Sequence, residues 1–138
     1  MINRRTILAG LTTAALLQGV SLAYAAEPIK VQIIGLAHWP VQNALKPILE
    51  MLEGFGDKIN VVEFDADTTE GKELMSAAGQ QGHVPVLILI DGEYQFTRAD
   101  GSDIEFLNFP TGADNPLDLN GSWNVDDVES VITGMIGG

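Results

Sequence analysis

Cysteine is absent from this 138-residue sequence, and basic residues are few. Without cysteine the chain can form no disulfide, zinc–thiolate site or iron–sulfur cluster, and it has no thiol nucleophile. Seven basic side chains stand against 19 acidic ones, which gives a net charge of −12. We therefore expect neither nucleic acid nor an anionic membrane surface as a partner, because both require a positively charged face. The length suits one globular domain.

The few basic residues are also unevenly placed. No acidic residue precedes Glu27, and the only charged residues before it are Arg4 and Arg5. A moderately apolar run over residues 7–26 follows them and contains the small-x-small pattern Ala23-Tyr24-Ala25. A positive start, an apolar run and such a cleavage pattern are typical of a signal peptide. The paired arginines directly before the apolar run resemble a twin-arginine signal.

These features predict the boundaries of the mature protein. Residues 1–25 are predicted to be a cleaved signal peptide, and residues 26–138 the mature domain. The protein is then periplasmic or otherwise exported, with no stable membrane span after cleavage. Cleavage removes two arginines and no acidic residue, so five basic residues remain against 19 acidic ones and the net charge becomes −14.

The mature sequence alternates between short β-branched runs and amphipathic segments. Strands are predicted at residues 29–34, 59–64, 86–90 and 93–96, the last two joined by an Asp91-Gly92 hairpin turn. Helices are predicted from Val41 to Phe55, from Thr68 or Thr69 to about Ala78, and after Asn124. Residues 103–109 are a further candidate strand, and residues 110–122 a loop. The order β-α-β-α-β-β-α predicts an α/β fold, with one mixed sheet of four to five strands and helices on both faces.

Three segments of this pattern resemble the thioredoxin superfamily. Residues 37–49 (AHWPVQNALKPIL) are similar to the redox loop and the proline-kinked helix that follows it. Residues 62–67 (VEFDAD) are similar to the second strand and its acidic end. Residues 82–93 (GHVPVLILIDGE) resemble the signature in which a cis-proline, here Pro85, opens a buried strand that ends in a tight turn. The resemblance covers about residues 29–98, and residues 99–122 look like an acidic insertion.

The resemblance implies a thioredoxin-like fold for residues 26–138 but not the family's reaction. Counting back from Pro47, Trp39 and Gln42 fall at the positions of the family's two cysteines; a loop shortened by two residues, with both cysteine positions missing, fits as well. Thiol–disulfide oxidoreductase activity is therefore predicted to be absent, because disulfide exchange requires a thiolate.

The same resemblance implies where a partner would bind. In such proteins the backbone beside the cis-proline pairs with an extended peptide, so Val84 and Pro85 are predicted to form a docking edge. Trp39, Pro40 and Gln42, in the neighbouring loop, are predicted to complete the binding surface. The sequence thus predicts an exported, redox-inactive binding or accessory protein that recognises a partner protein or peptide, for example in assembling a periplasmic enzyme. This function needs no cofactor.

Two other functions stay open at the level of sequence. His38 and His83 fall in loops that are neighbours in the thioredoxin fold, and two imidazoles suit copper. A periplasmic copper carrier would need a third ligand, from Asp65, Asp67 or Gln42. The other alternative is an enzyme of the thioredoxin superfamily that works without cysteine or binds glutathione.

Overall fold

The computed structural model describes residues 26–116 and 118–137, and the predicted signal peptide lies outside them. The strands in this part of the chain are β1 (Ile29–Gly35), β2 (Ile59–Asp65), β3 (Val86–Ile90), β4 (Gln95–Thr97) and β5 (Asp103–Glu105). The helices are α1 (Trp39–Glu53), α2 (Thr69–Ala77) and α3 (Val125–Gly137). A 3₁₀ turn, Gly56–Lys58, precedes β2. None of the helices in the described ranges has the length and apolar character needed to cross a membrane.

Strand β1 is the centre of the main sheet, whose order is β2-β1-β3. It runs parallel to β2, with Ile33 opposite Glu63, and antiparallel to β3, with Ile33 opposite Ile88. All five residues of β3 are buried, as its continuous apolar run predicts. Within the described residues β2 has a neighbouring strand on one side only, so it forms an edge of the sheet.

The prediction of one sheet with four to five strands is wrong, because the main sheet has three strands and β4 and β5 form a separate antiparallel pair. The Asp91-Gly92 turn exists, with positive φ at both residues, but it closes a single bridge between Ile90 and Glu93. The chain then leaves the sheet and returns at Phe106, whose carbonyl accepts a hydrogen bond from the N–H of Ile88 at 3.0 Å.

The burial of Phe106 accounts for this departure. Gln95 and Thr97 of β4 are exposed, whereas Phe96 between them is partly buried, with its ring centroid 5.5 Å from that of Phe106. Phe106 is fully buried, and its segment runs beside β3, where the N–H of Asn108 also donates to the carbonyl of Val86 at 2.8 Å. The predicted strand over residues 103–109 is confirmed for Asp103–Glu105, and residues 106–108 add further pairing to β3.

Helix α1 packs on the main sheet through the apolar stripe that its sequence predicts. Its buried residues are Val41, Ala44, Leu45, Ile48 and Leu52. A Cβ at Gly35 of β1 would lie 3.2 Å from the side chains of both Val41 and Leu45, so the absence of a side chain lets the helix approach the strand closely.

Helix α2 packs against β1 and β2. Its start is fixed by Thr68, whose hydroxyl accepts a hydrogen bond from the N–H of Gly71 at 3.1 Å. A Cβ on Gly71 would overlap the backbone carbonyl of Asp65, so only glycine allows this contact between helix and strand. Gly35 faces α1, whereas the next residue, Leu36, shares a pocket with Met75 of α2. The two helices therefore lie on opposite faces of the sheet, as predicted.

The segment between β5 and α3 contributes the largest side chains of the core. Phe106, Phe109 and Trp123 are all fully buried. The Trp123 ring meets Phe106 edge-on, with 5.6 Å between centroids, and its Nε1–H donates to the carbonyl of Leu107 at 2.9 Å. A Cβ on Gly121 would overlap both that carbonyl and the Trp123 ring. Much of the predicted acidic insertion is thus held to the domain by buried aromatic rings.

Candidate functional site

Trp39 opens helix α1 and is the most exposed of the large hydrophobic side chains in the described residues, at 67% of its full area. His38 precedes it at the N-cap with extended backbone, and Pro40 occupies the first turn, where a missing N–H leaves no hydrogen bond unmade. The indole is therefore displayed at the start of a helix whose first turn is stiffened by proline.

Gln42 holds the loop between β1 and α1 in place. Its Nε2 donates to the carbonyl of Leu36 at 2.9 Å, which ties the first turn of α1 to the end of β1. The Gln42 amide was predicted to belong to the binding surface. The residue is exposed beside Trp39, and its place in a binding surface stays a prediction.

Val84 and Pro85 lead into β3 at the same end of the sheet. Pro85 is buried, and its carbonyl accepts a hydrogen bond from the N–H of Leu36 at 3.0 Å. Because Leu36 also bonds to Gln42, this contact brings the Val84 segment next to the loop that carries Trp39. Within the described residues, the N–H and C=O of Val84 make no hydrogen bond to other protein groups.

The expectation of a cis peptide bond before Pro85 is wrong, since no peptide bond in the described ranges is cis. Trans is the favoured isomer of an X–Pro bond by about 0.5–1 kcal/mol. Gly82, at φ 86°, already turns the chain three residues earlier, so the approach to β3 is set without a cis bond. The backbone N–H and C=O of Val84 are nevertheless free of hydrogen bonds within the described residues, as a docking edge requires.

His38 and His83 are both exposed. His83 lies at a pocket of about 440 Å³ on the α2 side of the sheet, together with Lys72 and Asp67, and His38 is not part of that pocket. In the part of the chain that the structure describes, no three His, Asp or Glu residues come together as a group that could hold a metal ion.

A second concave surface, which the sequence did not predict, adjoins Pro40. We call it the α1–α3 groove. It has a volume of about 450 Å³ and lies between helix α1, the loop of residues 110–114 and the first residues of α3. Pro40, Ala44 and Pro47 form its α1 wall, at the i, i+4 and i+7 spacing of one helical face. That spacing was visible in the sequence, but the opposite walls were not.

The base of α3 is fixed by two sets of hydrogen bonds. Asn124 and Asp127 form a reciprocal cap, in which each side chain accepts the other residue's backbone N–H at 3.0 Å. Arg98 reaches from the end of β4 and donates to both carboxylate oxygens of Asp127, at 2.8 and 2.9 Å, and to the carbonyl of Ser122 at 2.7 Å. This bidentate pair joins the β4–β5 hairpin to α3.

The Arg98 contacts also set the local titration behaviour. Hydrogen bonding to Arg98 lowers the pKa of the Asp127 carboxyl, and the same bond raises the pKa of the guanidinium. Hydrogen bonds from Ser102 lower the pKa of Asp100 in the adjacent turn. The Asn124-x-x-Asp127 spacing was a readable capping signal, whereas the pairing with Arg98 could not be read from local sequence.

The structure therefore places Trp39, Pro40, Gln42, Val84 and Pro85 together at the carboxyl end of β1 and adds a groove beside them. The arrangement offers an apolar anchor, a free stretch of backbone and a concave surface. Comparison of the whole chain with protein-family models, with curated proteins and with solved structures found no match.

Proposed function

We propose that this chain is an exported, redox-inactive protein of thioredoxin-like fold that binds a partner protein or peptide at the carboxyl end of β1. The observation that carries the proposal is Trp39, a large apolar side chain left 67% exposed on a stiff helix start beside the unpaired backbone of Val84. An accessory role in assembling an exported enzyme would fit such a protein.

The fold assignment is supported by the arrangement of the first three strands. The parallel β1–β2 pair and the fully buried strand β3 are parts of the predicted fold, and α1 and α2 lie on opposite faces of the sheet. The chain has no cysteine, so the thiol chemistry of that superfamily has no reacting group here. Binding remains a function that the same surface can perform.

Trp39 offers a partner a large apolar area. A tryptophan side chain buries roughly 200 Å² when fully covered. Covering the exposed two-thirds of the ring would remove about 130 Å² of largely apolar surface from water, a contribution of about 3 kcal/mol as an upper estimate. Tryptophan is enriched among the few residues that dominate interface energies. An extended segment pairing with Val84 would add main-chain hydrogen bonds and directional specificity.

A selection from a phage-displayed library of random peptides tests the proposal. We expect the immobilised protein to enrich a peptide family whose affinity falls at least tenfold in Trp39→Ala, because about 1.4 kcal/mol corresponds to a factor of ten. Val62→Ala is the matched control, since Val62 is an exposed hydrophobic residue, 39% accessible, on the edge strand β2. It should change affinity less than twofold.

Two results would contradict the proposal. One is a set of enriched peptides that bind Trp39→Ala as well as they bind the unaltered protein. The other is equal loss of affinity in Trp39→Ala and Val62→Ala, which would indicate a general effect of surface hydrophobicity rather than recognition at the carboxyl end of β1.

A further inference from the structure

The α1–α3 groove is lined by apolar, neutral polar and acidic residues from three separate chain segments. Pro47 of α1, Pro110 of the insertion and Val125 of α3 supply apolar surface from its three sides. Asp114 and Asp126 are the charged residues that line it, and no lysine, arginine or histidine is among the lining residues. Both carboxylates are exposed, so they can meet a partner's charged groups.

The two neighbouring aspartates at the start of α3 differ in what they can offer a ligand. Asp127 is already engaged by the Arg98 guanidinium, at 2.8 and 2.9 Å. Asp126 makes no ion pair within the described residues. The groove therefore presents carboxylates that no basic side chain in the described ranges neutralises, on a mature domain whose sequence carries a net charge of −14.

Hydrogen bonds fix the conformation of the loop and of the helix start that form the walls of the groove. The N–H of Thr111 donates to the carbonyl of Trp123 at 2.7 Å, and the N–H of Ala113 donates to that of Pro110 at 3.1 Å. The Asn124–Asp127 cap fixes the α3 side. A preorganised groove loses little entropy on binding, so it suits an extended segment of a partner.

We infer that the α1–α3 groove receives an extended, basic segment of a partner protein, with arginine or lysine side chains directed to Asp114 and Asp126 and small apolar residues against the proline wall. This inference rests on the proposed function and specifies the chemistry of its partner. Pro40 joins the two surfaces, because it lines the groove and directly follows Trp39. One segment can thus contact the indole and continue into the groove.

The same peptide selection tests the inference when the charged residues of the enriched peptides are counted. Enriched peptides should contain more arginine and lysine, and less aspartate and glutamate, than the starting library. Their affinity for the double variant Asp114→Asn/Asp126→Asn should fall about threefold to tenfold at 50 mM salt, the range expected for two exposed ion pairs. The difference should shrink at 500 mM salt because the charges are screened.

The matched control is Glu73→Gln/Glu93→Gln, which removes the same charge from two exposed sites outside the groove. It should weaken binding less than 1.5-fold. If it weakens binding as much as the groove variant does, the net charge of the protein and not the groove attracts the peptide, and the inference is wrong.

Separate results distinguish failure of this inference from failure of the proposed function. Peptides that depend on Trp39 but show no basic bias, or that bind Asp114→Asn/Asp126→Asn normally, overturn the inference alone. Basic peptides that lose affinity in the groove variant but not in Trp39→Ala support the groove and contradict the role of the indole. Self-association in sedimentation velocity that the groove variant abolishes would identify a second copy as the occupant and overturn the inference.

Discussion

Trp123 offers the sharpest test of how the segment between β5 and α3 is held to the rest of the domain. The side chain is fully buried, touches Phe106 edge-on and donates its Nε1–H to the carbonyl of Leu107. Truncation of a buried tryptophan to alanine destabilises a protein by about 3–5 kcal/mol, because transfer energy is lost and a cavity remains. Since small domains have unfolding free energies of about 5–15 kcal/mol, Trp123→Ala should remove a large part of the total.

Trp123→Phe separates the hydrogen bond from the packing. Phenylalanine keeps an aromatic ring against Phe106 but leaves the Leu107 carbonyl without its donor. The bond is partly buried, so loss of its donor should cost at most about 1–3 kcal/mol, and the free energy of unfolding of this variant should fall between those of the unaltered protein and Trp123→Ala.

The assay is urea unfolding followed by far-ultraviolet circular dichroism, with Trp39→Ala as the matched control. That variant should change the free energy of unfolding by less than about 0.5 kcal/mol, because the side chain is 67% exposed. Equal losses in Trp123→Ala and Trp39→Ala would refute the conclusion that Trp123 belongs to the core. A Trp123→Phe variant as stable as the unaltered protein would refute the contribution of the Leu107 hydrogen bond.

Three further predictions concern a helix contact, acid stability and export. Gly71→Ala should lower the free energy of unfolding by about 1–3 kcal/mol, because a Cβ at this position would overlap the backbone of Asp65. Gly134→Ala has open space around it and should raise the free energy of unfolding by about 0.4–1 kcal/mol in the same urea titration. Folding lowers the pKa of Asp127, so its ionised carboxylate stabilises the protein at pH values above the usual aspartate pKa of about 3.9. This stabilisation is lost as the pH falls through the lower pKa of the folded state. Asp127→Asn should accordingly be less stable than the unaltered protein near neutral pH, and the gap in thermal midpoint should close in acid; a gap that widens in acid would contradict the sign. Replacing Arg4 and Arg5 with lysine should leave the precursor in the cytoplasm, as measured by cell fractionation, and unchanged export would count against a twin-arginine signal.

The sequence predicted those helices and strands that are determined by residues close together in the chain. The stripe from Val41 to Leu52 defined α1 because helical periodicity depends only on near neighbours. Thr68 was one of two predicted caps for α2, and its hydroxyl does make the capping bond. The continuous run of β3 was recognisable because it is too short for a helix and a tight turn, Asp91-Gly92, follows it.

The features that the sequence did not yield depend on distant contacts. Nothing near Gln95 indicates that β4 pairs with β5 instead of β3, because that choice is decided by the burial of Phe106. The cis-proline came from the family resemblance, and this chain departs from it at Pro85. Of the candidate site, Trp39 and Val84 were predicted, but the groove was missed because its walls come from segments that meet only in the folded domain.

The edge strand β2 has a consequence for behaviour at high concentration. Within the described residues β2 has a neighbouring strand on one side only, and such an edge is a template on which copies of a protein aggregate. Glu63 and Asp65 lie on this strand and are exposed, so a second β2 brought alongside would place carboxylates near one another. We expect this repulsion between carboxylates to oppose edge-to-edge association of copies of the protein.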